Sequence, residues 1–162
     1  MATKTSKRAG ETSTTVSVGI RIDPKIKFAL DLMGRLQKRS LTAVIEWAIS
    51  QAIAQQKIDG SQSSLGDVID GIWSTDESMR FVKLCFDMPQ ALTYDELRIW
   101  ETVKVSPIFW IADEAGCYDT TRDSISLDAV SMGWSSLLAH VERHKMVSTV
   151  VPMRDLDYVP FK

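Results

Sequence analysis

The sequence predicts a mainly α-helical fold in two parts: one β-strand followed by two helices, then a mostly helical C-terminal domain. The stretch "TTVSVGIRIDPK", residues 14–25, alternates apolar and non-apolar positions and then runs into helical sequence with no second strand nearby. From there on, apolar residues recur mostly at helical spacing. The charge also divides: residues 1–64 hold ten Lys and Arg against five acids, a net +5, whereas residues 65–162 hold nine against sixteen, a net −7. A basic module joined to an acidic one suggests a polyanion-binding head with a separate body.

With 162 residues, 44% of them hydrophobic, the chain fits one domain or two small ones with a real core. No apolar run approaches the ~18 residues that would span a bilayer. The polar start "MATKTSKRAGETS" has no apolar signal-peptide core. A soluble, cytoplasmic protein with no membrane partner is expected. The two cysteines, Cys85 and Cys117, stand apart in no C-x-x-C arrangement, so buried free thiols are expected rather than a disulfide framework or thiolate zinc site.

Residues 1–13 are small, polar and basic, with Lys4, Lys7 and Arg8, and read as a disordered arm. The strand follows. Asp23 then suits an N-cap and Pro24 the first helical position, where its missing N–H costs nothing. Ile26, Leu30 and Met33 fall at i, i+4, i+7 and carry the first helix to about Leu36. After the "QKRS" turn, Ser40 is the next expected N-cap. Ile45, Ala48, Ile49, Ala52 and Ile53 give the second helix an apolar face that ends near Gln56. Residues 14–58 thus form the first domain and 59–64, "DGSQSS", the linker. In residues 65–162 helices are expected at about 65–73, 76–87, 93–104 and 126–146. Thr93 with Glu96 has capping-box spacing. "SPIFWIAD" suits either a buried helix or a short strand, and "MVSTVVPM" suits a strand that Pro152 restricts to an edge or an end.

A lone strand leaves N–H and C=O groups unpaired along both edges, and nothing else in the first 64 residues could pair with them. The simplest solution is a second copy of the chain. Two such strands paired antiparallel about a two-fold axis would set Val16, Val18, Ile20 and Ile22 on the helices of both subunits. The outer face would carry Thr15, Ser17, Gly19 and Arg21, and a two-stranded ribbon fits the DNA major groove. The alternative is an in-chain sheet with residues 147–153, which would leave Arg21 an ordinary solvated residue.

The order strand, helix, basic turn, helix resembles the ribbon-helix-helix (MetJ/Arc-type) family of bacterial repressors, antitoxins and plasmid regulators. The likeness covers about residues 14–57 and rests on "VGIRIDP", "LDLM" and "KRSLTAVIEWAI". It implies a mainly α fold with one intermolecular β-strand per chain, base reading by Ser17, Gly19 and Arg21, and a phosphate clamp at Ser40, Leu41 and Thr42. Gly19 brings no side chain to the central reading position. Ala43 stands where an acidic residue often completes the cap. Physical chemistry adds reasons of its own. Arg21 can donate two hydrogen bonds to guanine, worth ~1 to 3 kcal/mol of discrimination, whereas Thr15 and Ser17 are permissive. Lys38 and Arg39 add charge beside the free amides of the second helix. A dimer doubles the module's +5 to about +10, so affinity should fall steeply with salt.

In the C-terminal half, "HVERH" puts His140 and His144 one helical turn apart, a spacing that can chelate a metal. Solvent-facing histidines near a helix C-terminus are the simpler reading, and no metal or other cofactor is expected. Trp73, Trp100, Trp110 and Trp134 should mostly be core. No paired acids with a nearby base, nucleophile elbow or Gly-rich phosphate loop appears, so no enzyme is expected. The expected function is sequence-specific binding of double-stranded DNA by a homodimer, for transcriptional repression, including of its own promoter. Higher assembly on DNA and a protein or effector at the C-terminal domain stay open. The alternatives are an antitoxin whose C-terminal domain masks a toxin, and a plasmid transfer or partition accessory factor.

Overall fold

Asp23 and Pro24 start the first helix as their chemistry dictates. In the computed structural model, which describes residues 18–58 and 63–158, the amides of Lys25 and Ile26 donate to the Asp23 carboxylate at 2.8 and 3.4 Å. Helix α1 spans Pro24–Gln37 and α2 spans Leu41–Gln55. Between them Lys38 takes the left-handed conformation (φ 54°, ψ 42°) that stops a helix, and the Arg39 amide donates to the Gly34 carbonyl at 2.9 Å. Gly34 permits that closeness, since a Cβ there would lie 3.0 Å from the Arg39 carbonyl oxygen.

Among the described residues the expected β-strand does not appear. Residues 18–23 carry no strand or bridge, and positions 14–17, like the arm at 1–13, lie outside the described residues. Among the described residues the β-bridges are Lys57 with Ser64 and Trp110 with Ile125, so no in-chain sheet involves 147–153.

Two compact units divide at Gln51 and Ala52. In the second, Ser64 and Asp67 cap α3 (Leu65–Ile72) reciprocally, Asp76 caps α4 (Glu77–Asp87), and Thr93 with Glu96 forms the capping box of α5 (Tyr94–Val105). Each start coincides with a side chain that satisfies first-turn amides. The long helix expected at 126–146 is instead two, α6 (Leu127–Met132) and α7 (Trp134–Arg143), separated by Gly133. A Cβ at Gly133 would lie 2.3 Å from the Tyr158 ring, so the break lets the C-terminal segment pack against the backbone.

The core of this unit gathers Phe81, Val82, Cys85, Trp100, Val103, Phe109, Trp110, Ile125, Val130, Leu137 and Met153. "SPIFWIAD" becomes a 3-10 turn (Pro107–Phe109) followed by the bridge at Trp110. "MVSTVVPM" is irregular and acts as a strap. Its Met153 amide donates to Ser106 Oγ at 2.8 Å, and its Val151 carbonyl lies 2.9 Å from His140 Nε2. Trp110 donates its indole N–H to the Val103 carbonyl at 2.8 Å. Trp73, by contrast, is 63% exposed, against the expectation of a core residue. Cys117 is also exposed, because it follows the positive-φ Gly116 in a surface turn, whereas Cys85 is buried as expected.

Candidate nucleic-acid interface

The three residues Lys38, Arg39 and Ser40 make the whole connection between α1 and α2, and all three are exposed. Ser40 Oγ accepts from the Ala43 amide at 3.2 Å, and the Ser40 carbonyl accepts from Val44 at 3.0 Å. Ser40 is therefore a working N-cap without an acidic partner. It covers the third amide of α2 and leaves the N–H groups of Leu41 and Thr42, among the described residues, to an outside acceptor.

Beside this helix start is a shallow cleft of about 490 Å³ lined by Leu30, Asp31, Gly34, Arg35, Lys38, Arg39 and Leu41. Asp31 is ion-paired with Lys27 at 2.6 Å. Arg35, Lys38 and Arg39 have no acidic partner among the described residues, so the cleft presents uncompensated positive charge next to two free amides. A phosphate oxygen is the ligand such a setting favours. The expected clamp residues Lys38, Arg39, Ser40, Leu41 and Thr42 are thus contiguous. Arg35 and the small Gly34 beneath the turn were not expected from the sequence. Arg35 follows Leu32 and Met33 on the first helix and could have been found by projecting charges onto the turn.

Arg21 is exposed in the extended approach to α1, and Gly19 has open space around it, with nothing within 4 Å of where a Cβ would stand. Thr15 and Ser17 lie outside the described residues. Within the N-terminal unit the structure therefore places two of the four expected base-reading positions on the surface.

Apolar side chains are exposed on the same unit. Val18 is 75% and Leu36 84% exposed, and Ile20, Ile26, Phe28 and Ile49 are all more than half exposed. Among its described residues only Gly34 and Val44 are buried. Two helices that bury so little cannot offset their ordering entropy alone.

The histidines do not face solvent as expected: His140 is buried and His144 is half-buried. His140 Nε2 donates to the Val151 carbonyl, and His144 Nδ1 donates to the His140 carbonyl at 2.9 Å, so both rings are turned onto backbone oxygens. No cluster of three or more metal-ligating side chains occurs among the described residues. No helix among them is long and apolar enough to cross a membrane. Comparison with protein-family models, curated proteins and solved structures finds no match to the chain.

Proposed function

We propose that the chain is a homodimeric, sequence-specific DNA-binding regulator of the ribbon-helix-helix kind. Residues 14–22 of two copies would pair into a ribbon that enters the major groove, and each α2 start would clamp a backbone phosphate. The observation that carries this reading is the exposed apolar surface of α1, α2 and the segment before them, which a second copy would cover. The basic cleft at Arg35, Lys38 and Arg39 supports polyanion binding at the same unit. Arg21 reads bases, with Thr15 and Ser17 beside it, and Gly19 lets the ribbon backbone come close to base edges. Repression follows where such a dimer covers a promoter.

Selection of bound fragments from the source genome should enrich a repeated or two-fold symmetric sequence. Arg21→Ala in a folded dimer should lose about 10-fold or more in affinity for it, while losing little on unrelated DNA. Unchanged discrimination would end the base-reading assignment. Enrichment of transfer-origin or centromere-like repeats without transcriptional effect would favour the accessory-factor alternative. A stoichiometric complex with a neighbour-encoded toxin would favour the antitoxin.

A further inference from the structure

We propose that α1 carries a second self-association surface on its outer side, through which a copy of the chain pairs with the α1 of a neighbouring copy outside the ribbon dimer. The helix is apolar on two sides. On the first, Gly34 is buried, with Val44 of α2 3.8 Å from where its Cβ would stand, and Leu30 and Met33 are half-buried. Ile26 continues that side. Phe28, Leu32 and Leu36 recur at i, i+4 and i+8, and at about 100° per residue they fall on the opposite side. They are 59%, 39% and 84% exposed. A ribbon dimer that extends the Ile26 side leaves this second stripe in water, and one apolar face is what a surface helix ordinarily has.

The form of the stripe identifies its occupant. Residues four apart make the ridge that most often packs between helices, and two such ridges interdigitate at an angle of about −50°. This ridge is symmetric about Leu32. A two-fold axis there sets Leu32 against its counterpart and Phe28 against Leu36 of the other copy, an isologous contact that needs no further surface. Three side chains a helix bury far less than the roughly 1,200 Å² of a stable interface. Lys25 and Arg35, which border the ridge without an acidic partner among the described residues, also oppose pairing in dilute solution. The contact therefore acts where copies are already concentrated, as on adjoining stretches of one DNA, whose phosphates screen those charges. The pairing of ridges stands on α1 alone, whereas its use on DNA rests on the function proposed above.

The test is sedimentation equilibrium of the full chain from about 10 μM to about 1 mM, in high salt to screen the flanking charges. Dimers should associate further in the upper part of that range. Leu36→Gln, at an exposed position, should leave the dimer intact and weaken the further step about tenfold or more. On a mixed-sequence duplex of about 60 base pairs the native chain should bind cooperatively, and on one of about 15 base pairs without cooperativity. Leu36→Gln should remove the cooperativity and leave affinity for the short duplex unchanged. Ile20→Lys separates the two readings: association that survives it and is lost in Leu36→Gln keeps the α1 contact even where the ribbon dimer fails. A native chain that goes no further than a dimer at about 1 mM, or a Leu36→Gln chain that associates as the native one does, would overturn the proposal.

Discussion

Asp76 concentrates several jobs in one carboxylate. It accepts from the Met79 amide at 3.0 Å, from Ser78 Oγ at 2.6 Å and from Ser131 Oγ at 3.1 Å, so it caps α4 and ties it to α6. Hydrogen bonds from Ser78, and then from the Met79 amide, hold its pKa below the ordinary 3.8. A depressed carboxylate contributes stability above its unfolded pKa and loses it as pH falls through the folded value. The Asp76 contribution should therefore be complete at neutral pH and decline below about pH 4. Asp76→Ala should cost about 1 kcal/mol at pH 7, and chemical denaturation at pH 7 and pH 3 should show the difference from the native chain shrinking. The thiols differ just as plainly. Burial pushes the Cys85 thiol up to about 12, whereas Cys117 is exposed. Iodoacetamide at pH 8 should label one cysteine in the folded protein, Cys117, and both only in denaturant. Two thiols without a motif look alike in the sequence, and only their surroundings separate them.

Among the elements, helix starts were the most legible. Asp23, Ser40, Thr93 and Glu96 are local signals, because a cap bonds amides two or three residues away and needs no distant partner. The division of 126–146 was not legible, since nothing near Gly133 announces the Tyr158 ring. Tyr158 donates its hydroxyl to the Ala129 carbonyl at 3.0 Å, across a separation of 29 residues. Gly133→Ala should displace that ring and cost about 1 to 3 kcal/mol of stability by chemical denaturation. In a Tyr158→Ala background the same substitution should cost much less, a non-additivity that would identify the contact as the cause. The strap at 146–153 misled in a similar way. Its valines suggest a strand, yet its Met153 amide and Val151 carbonyl bond to the side chains of Ser106 and His140 rather than to a neighbouring strand.

At the scale of the whole molecule, the two units differ in how much they bury. The C-terminal unit has a continuous core of aromatic and aliphatic residues. The N-terminal unit leaves Val18, Ile20, Ile26, Phe28 and Leu36 exposed. If a second copy covers that surface, Ile20→Lys should convert a dimer to a monomer in sedimentation. DNA binding should fall with dimerisation and not independently of it. An Ile20→Lys chain that still sediments as a dimer would place the subunit contact elsewhere.

Read alone, the sequence determined the mainly helical character, the positions of most helix starts and the basic turn between α1 and α2, because caps, periodicity and charge act over a few residues. Only the tertiary structure decided which tryptophans and cysteines are buried, where the last long helix breaks, and that the histidine pair is turned onto backbone carbonyls. It also packed α4 against α6 and α5 against α7. Those outcomes depend on contacts between segments far apart in the chain, such as Ser106 with Met153 and Tyr158 with Ala129, and no local pattern encodes such a pairing.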